Sequence, residues 1–350
     1  MLKLILGCKN TMNKIIEEDI NFIFTQLKNI VDLSKLNNSN ILITGGTGLF
    51  GKSILDALIF MHNFYEFKIT VLSRNKNNFL FNYPKYNLEF INFIRGDIRN
   101  FDCKRQDFDY IIHAATPASA KLEKENPKEM YSVILEGTKN IIDIAKNMNV
   151  KKLLFTSSGA VYGEQYQSIK SFKEDYQGIP ITYYGKAKKI SENIFLNSNI
   201  NVSIARCFAV TGPHLNLNIH FAIGNFIKDA IENRDIIIKG DGRPLRSYLY
   251  TADLVIWLLA ILLKSENKSI YNVGGGGGGI SIYDLAERIS KLVDNYRGEI
   301  KILSKPDYNI PAKKYIPDIS KIIRELGVKE NYTLDEAIKR TIEWNLIIDK

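Results

Sequence analysis

The sequence predicts an α/β fold, a doubly wound parallel sheet with a smaller mixed C-terminal portion. Three observations lead there. Short apolar runs alternate with longer helical stretches from residue 40 onward, a glycine-rich turn joins the first run to the first helix, and the rhythm loosens after about residue 210. Ile41 to Thr44 opens the series as a strand, and Ser53 to His62 follows as a helix. Lys68 to Leu72, Phe90 to Ile94, Tyr110 to His113, Lys152 to Ser157 and Val202 to Cys207 continue the strands. Tyr131 to Met148 and Tyr184 to Asn197 supply helices between them. Strands joined in this way lie parallel and are covered on both faces. Ahead of them, Ile16, Ile20, Ile23, Leu27 and Ile30 recur at helical spacing, so 12–36 reads as an amphipathic helix laid against the body. The expected division is the helix over 12–36, a doubly wound domain over 40–210, and a smaller domain over 211–345 able to return a strand or helix to the first.

Bulk properties narrow the function. The 350 residues are 45% apolar and 24% charged, enough to bury a substantial core. The formal charge of +9 comes from lysines scattered along the chain, as expected of solvated helices and then of a phosphate-bearing small ligand. No base-reading module supports nucleic acid as a partner. Cys8, Cys103 and Cys207 lack metal-ligand spacing and suit a reducing, cytoplasmic setting, so no metal is expected. The longest apolar run, Leu254 to Leu263, falls well short of the roughly 20 residues of a membrane-spanning helix and reads as a buried helix.

The turn Gly45-Gly46-Thr47-Gly48-Leu49-Phe50-Gly51 carries the first chemical signal. A phosphate-binding turn needs one glycine for the bend, one for close approach of a pyrophosphate and one for helix–strand packing, and Gly45, Gly48 and Gly51 fill these places. The N-terminus of the following helix offers N–H groups to anionic oxygens. With its strand–turn–helix setting this is a dinucleotide-binding Rossmann signature, in which Thr47, Leu49 and Phe50 also line the cofactor. At the end of the second strand Ser73 and Arg74 stand where a carboxylate would hold the ribose of NAD, so NADP is the preferred cofactor, with NAD as the alternative. Asp97 and Ile98 after the third strand, and Ala114 and Ala115 after the fourth, are further cofactor candidates.

Tyr184 and Lys188 lie four apart on a helix, which puts phenol and ammonium on one face. A nearby ammonium lowers a phenol's pKa, and Ser158 at a strand end can bond the same substrate oxygen. With GGTGLFG at 45–51, HAATPAS at 113–119, FTSSGAVYG at 155–163, YYGKAKKISE at 183–192, RCFAVTGP at 206–213 and GDGRPLRSYLYTADL at 240–254, residues 40–345 resemble the extended short-chain dehydrogenase/reductase family, within its nucleotide-sugar epimerase/dehydratase group. The resemblance implies that Tyr184 is the acid/base, that Lys188 tunes it and holds the nicotinamide ribose, and that Ser158 polarises the reacting oxygen. It implies a nucleotide-diphosphate sugar held between the two domains, with Arg246 on the pyrophosphate, and a homodimer. Ser119, His220 and Asn225 are further substrate-side candidates, and Arg243 lies in the same region.

Two departures narrow the subgroup. Dehydratases of this group carry an acidic pair directly after the position of Ser158, whereas this chain has Gly159 and Ala160, so dehydration needs Glu164 or Glu174 to reach the site. Ala209 stands where relatives commonly have asparagine. The expected activity is NADPH-dependent reduction of a 4-keto, 6-deoxy nucleotide-sugar, with NAD-dependent C4 epimerisation as the alternative, 4,6-dehydration behind both, and a dinucleotide-sensing scaffold as the non-enzyme reading. The run Gly274 to Gly279 costs about 1 kcal/mol per residue to order and reads as readily as a linker or placeholder as a natural loop, with no ligand role.

Overall fold

A computed structural model describes residues 13–103, 106–116, 120–218 and 221–348. Helix α1 (Lys14–Ile30) starts where Asn13 Oδ1 accepts from the amide of Ile15 at 2.9 Å. The chain then runs β1 (Ser39–Thr44), α2 (Leu49–Met61), β2 (Phe67–Ser73), α3 (Lys76–Asn82), β3 (Ile91–Arg95), β4 (Tyr110–His113), α4 (Ala120–Glu125), α5 (Pro127–Asn147), β5 (Lys152–Ser158), α6 (Tyr183–Leu196) and β6 (Val202–Cys207). Beyond it come β7 (Ala209–Thr211), α7 (Ala222–Ile231), β8 (Ile236–Ile238), β9 (Leu245–Arg246), β10 (Tyr248–Tyr250), α8 (Thr251–Lys264), β11 (Ile270–Val273), β12 (Ile280–Ser281), α9 (Ile282–Leu292), β13 (Ile300–Ile302), β14 (Lys314–Tyr315), α10 (Ser320–Leu326) and α11 (Leu334–Ile348).

Seven strands form one parallel sheet in the order β11-β6-β5-β4-β1-β2-β3. The α/β class and the doubly wound parallel sheet are as the sequence predicts. Alternate residues of β1 explain the two covering layers. Ile41 and Ile43 join the core beneath α1, α2 and α8, while Leu42 joins the opposite core with Ile141 and Ile142 of α5 and Phe195 of α6. The strand order reverses at β1, which pairs with β2 on one side and β4 on the other, so a crevice opens outside the carboxyl ends of β1 and β4.

Residues 251–273 return to this sheet. Helix α8 is buried on every side through Leu263, which explains its unbroken apolar run, and β11 adds the seventh strand. The C-terminal elements build a separate core from Ile223, Phe226, Ile236, Leu285, Ile289 and Ile338. Helix α1 is tied to that end as well as to the sheet layer, because Asp19 accepts from the Tyr250 hydroxyl at 2.6 Å and from Arg340 at 2.8 Å.

The glycine run is packed at its start, while Gly276, Gly277 and Gly278 are exposed and a Cβ on Gly277 or Gly278 would meet nothing within 4 Å. Gly274 and Gly275 are buried, and a Cβ on Gly275 would stand 2.4 Å from the carbonyl oxygen of Tyr248. Close approach of two backbones excludes a side chain there and delivers the chain to β12, which pairs with Arg246. No helix among the described residues is long and apolar enough to cross a membrane, and no group of His, Cys, Asp and Glu among them could hold a metal ion.

Candidate active site

The phosphate-type turn folds as its glycines require. Gly45 adopts φ +76°, and a Cβ there would stand 2.6 Å from the carbonyl carbon of Ala114, so β1 and β4 meet at the switch point through bare backbone. Gly48 donates to the Gly45 carbonyl at 3.0 Å and begins α2 with no capping side chain over the N–H groups of its first turn. Leu49 packs toward the C-terminal core and Phe50 toward the core of α1, α2 and α8, while Thr47 is half-buried. Ala114 and Ala115 are fixed by Thr44, whose carbonyl and hydroxyl accept from their amides at 3.0 and 3.2 Å.

At the tip of β2, Ser73 is buried, its hydroxyl accepts from the amide of Asn75 at 3.3 Å, and Arg74 is exposed. Asn75 and Lys76 follow, so the tip carries no acid. Asp97 is held by Arg99, which donates from Nε at 2.9 Å and Nη2 at 3.0 Å. The side chain of Ile98 is buried in the core beneath α5, and its carbonyl accepts from Asn140 at 2.9 Å. Sequence spacing marks both residues but not these engagements.

Ser158 ends β5, beside its register partner Cys207 on β6, and its hydroxyl accepts from the amide of Ala160 at 3.2 Å to start a 3-10 turn over Gly159–Tyr162. Helix α6 brings Tyr184 and Lys188 to the same place. Its N-terminus is capped twice, as Thr182 accepts from the amide of Gly185 at 3.0 Å and Glu123 from that of Tyr184 at 3.1 Å. Lys188, only 1% exposed, donates to the Thr116 hydroxyl and the Thr156 carbonyl, both at 2.7 Å, and its ammonium lies 5.9 Å from the Tyr184 ring centre. The Ser158 hydroxyl is near enough to two phenols, Tyr184 and Tyr315, to lower the pKa of each.

Electrostatics in this group differ from the spacing argument. Burial pushes the Tyr184 phenol up to about 12, opposed mainly by the nearby Ser158 hydroxyl, and the lysine does not reverse it. Burial likewise brings Lys188 down to about 7 and raises the Cys207 thiol to about 12. Behind α6, Glu192 accepts from Ser157 at 2.5 Å and pairs with Arg206 in the interior, which locks the helix to β5 and β6.

No acid stands next to Ser158 at 159 or 160. A Cβ on Gly159 would meet Phe208 Cζ and the Tyr315 hydroxyl at 2.6 Å, so those rings fill the space of a longer side chain. Glu164 is exposed, and Glu174 accepts from the amide of Asn272 at 2.9 Å. Arg246, half-buried on β9, lies with its guanidinium 5.8 Å from the Tyr315 ring centre, which brings it to this group. Arg243 instead pins the 305–310 loop, donating to the carbonyls of Asp307 at 2.7 Å and Ile310 at 3.0 Å. Asn225 sits half-buried near the start of α7. Ser119 and His220 lie outside the described residues. Glu123 and Tyr315 carry no signal at their own positions in the sequence, and Thr116, although inside the HAATPAS segment, is not marked there as a partner of Lys188.

The model of the NAD dependent epimerase/dehydratase family matches residues 41–274. The chain belongs to that family. Its relatives include a putative UDP-glucose 4-epimerase of Methanocaldococcus jannaschii, 32% identical over 317 residues, covering 87% of this chain and 97% of the relative. UDP-glucuronic acid decarboxylase 1 of Xenopus tropicalis is 30% identical over 325 residues, covering 89% of this chain and 73% of that one. Among solved structures, the UDP-N-acetylglucosamine 4-epimerase of Methanobrevibacter ruminantium M1 in complex with UDP-N-acetylmuramic acid superposes with TM-score 0.77 at 25% identity, covering 89% of this chain and 99% of that one. In this epimerase/dehydratase family member the family match starts inside β1, so α1 lies outside it, and it ends before β14, so Tyr315 does too.

Proposed function

We propose that this enzyme inverts C4 of a nucleotide-diphosphate sugar with a nicotinamide dinucleotide that stays bound. The observation that carries the reading is the gathering of Ser158, Tyr184 and Tyr315 around a position where neither Gly159 nor Ala160 offers a carboxyl group. Such a site can move a proton on and off one sugar oxygen and has no partner residue there for removing water across C5 and C6. The epimerases among the relatives and solved structures support the same choice.

The chain fits the cofactor. The bare-backbone cradle at Gly45 and the uncapped start of α2 suit a pyrophosphate, held by Gly45, Thr47, Gly48, Leu49, Phe50 and Gly51. Ser73 and Arg74 would meet the adenosine ribose, Asp97 and Ile98 the adenine, and Ala114, Ala115, Tyr184 and Lys188 the nicotinamide end. When bound, the nicotinamide supplies uptake and return of hydride. Tyr184 takes the proton from the C4 hydroxyl and gives it back, Ser158 donates to the same oxygen, and Lys188 favours the phenolate by its charge. Arg246 holds the substrate pyrophosphate, with Ser119, His220 and Asn225 on the substrate side. The outer faces of α5 and α6 form a groove of about 440 Å³ that includes Tyr131, Leu135, Tyr183 and Lys186, and a homodimer through these helices belongs to the same reading.

The deciding experiment incubates the purified enzyme with UDP-glucose, UDP-N-acetylglucosamine and UDP-glucuronate without added cofactor and follows C4 configuration by proton NMR. Interconversion of one pair supports epimerisation. A second reading, NADPH-dependent reduction of a 4-keto nucleotide-sugar, is favoured by Ser73 and the exposed Arg74 at an acid-free β2 tip. Stoichiometric NADPH consumption with a 4-keto-6-deoxy sugar nucleotide, and no C4 interconversion, would replace the first reading with the second.

A further inference from the structure

We propose that Thr116 is a positioning residue for Lys188, its hydroxyl setting where the ammonium sits and holding the proton on it beside Tyr184. Lys188 is 1% exposed, and the Thr116 hydroxyl and the Thr156 carbonyl both accept from its Nζ at 2.7 Å. The second acceptor is fixed backbone of β5, whose Thr156 hydroxyl in turn donates to the His113 carbonyl at 3.2 Å. An ammonium has three donors, so two acceptors on separate elements fix both its place and its rotation, and one N–H is left for the Tyr184 side of the cluster. The Phe155 ring, with its centre 4.5 Å from Nζ, walls off another direction.

The hydroxyl also bears on the charge. Burial drives the proton off Lys188, while the charges of Cys207 on β6 and Glu192 on α6 oppose that loss. An acceptor within hydrogen-bonding distance of the ammonium, as the Thr116 hydroxyl is, favours the charged form as well. Replacing the Thr116 oxygen by a methyl leaves the Thr156 carbonyl as the remaining hydrogen-bond acceptor beside the unchanged Cys207 and Glu192, so the amine loses its proton at lower pH. The connection that carries Thr116 also ends in α4, where Glu123 caps Tyr184 at 3.1 Å. One stretch of chain after β4 thus holds both members of the acid/base pair.

This inference rests on the proposed role of Tyr184 and Lys188 as that pair, and its test has one arm that needs no turnover. Thr116→Val, Thr116→Ser and Lys188→Met are compared with wild type, the first two also in the Lys188→Met background. With the sugar nucleotide that wild type converts, Thr116→Val is expected to lower kcat by about tenfold or more, the loss of one charge-assisted hydrogen bond, with KM and bound dinucleotide unchanged. Thr116→Ser keeps the oxygen and should stay within about threefold of wild type. In urea unfolding, the stability gap between wild type and Thr116→Val should be wider at pH 6 than at pH 9, because the variant buries an ammonium with one acceptor missing, and this pH dependence should vanish in the Lys188→Met background. A pH-independent gap, or equal kcat losses in the valine and serine variants, overturns the assignment. If wild type converts no sugar nucleotide, the functional reading fails while the unfolding arm still decides whether Thr116 holds the lysine's proton.

Discussion

Arg206 grips the Glu192 carboxylate from Nε at 3.0 Å and Nη2 at 2.8 Å, with the two side chains 3% and 1% exposed. The pair sits one helical turn beyond Lys188 and joins α6 to β6, while Ser157 and Tyr162 bond to its two ends. Removing the cation leaves a carboxylate desolvated and unpaired in the interior. Arg206→Met should therefore cost about 3–5 kcal/mol in urea unfolding. A loss below about 1 kcal/mol would mean that the carboxylate finds water or protonates without consequence.

Gly51 lies against the turn it follows, and a Cβ there would stand 2.3 Å from both the Gly45 carbonyl oxygen and the Gly46 Cα. Both are backbone and cannot swing aside, so Gly51→Ala must push α2 away from the turn. The expected result is a stability loss of roughly 1–3 kcal/mol together with weaker dinucleotide binding, read by calorimetric titration. Binding at wild-type strength would show that the start of α2 is not where the pyrophosphate docks.

Much of the fold was legible in the sequence because its signals are local. Apolar runs mark strands, Gly45 to Gly51 marks a turn, and the spacing of Tyr184 and Lys188 marks one helix face. The site was legible only in part. Tyr315 reaches Ser158 through the pairing of β14 with β9, and Thr116 reaches Lys188 through the packing of α6 on the sheet, neither of which any spacing encodes. The net direction of the phenol's shift is not legible for a similar reason. Spacing gives proximity, but the sign of the shift depends on burial, which exists only once the sheet, α6 and β14 have closed around the pair. Composition alone also cannot reveal that Tyr248 backs onto Gly275 at the packed start of the glycine run.

Tyr184→Phe removes one hydroxyl from the group around Ser158 and leaves the ring in its half-buried place. As the proposed acid/base, its loss should lower kcat by about 10²–10⁴-fold, with thermal stability close to wild type because the ring keeps its packing. Turnover within a few-fold of wild type, measured with the same sugar nucleotide, would move the proton transfer to Tyr315, the other phenol at Ser158. The matching Tyr315→Phe variant then becomes the one that loses turnover.

Lys188 links the site to stability through pH. Its folded value of about 7 lies below the ordinary 10.5, so between these two values the unfolded chain binds a proton that the folded chain does not. Stability from this group therefore rises with pH across that window, and below about 7 the full penalty of burying an ammonium is present. Tyr184 has the opposite sign in a higher window. Raised from 10.0 to about 12, it makes the folded chain hold the extra proton there, so its contribution falls as pH climbs through that range. Lys188→Met removes the first dependence and keeps the volume of the chain in the pocket. Urea unfolding of both proteins at pH 6.5 and about pH 9.5 isolates the lysine, because the remaining buried groups, Lys152 among them, are common to both. Wild type should gain on the variant as pH rises. Parallel stability curves would mean that the amine titrates near its unfolded value, with the pocket around Thr116 and Thr156 solvating it far better than its burial implies.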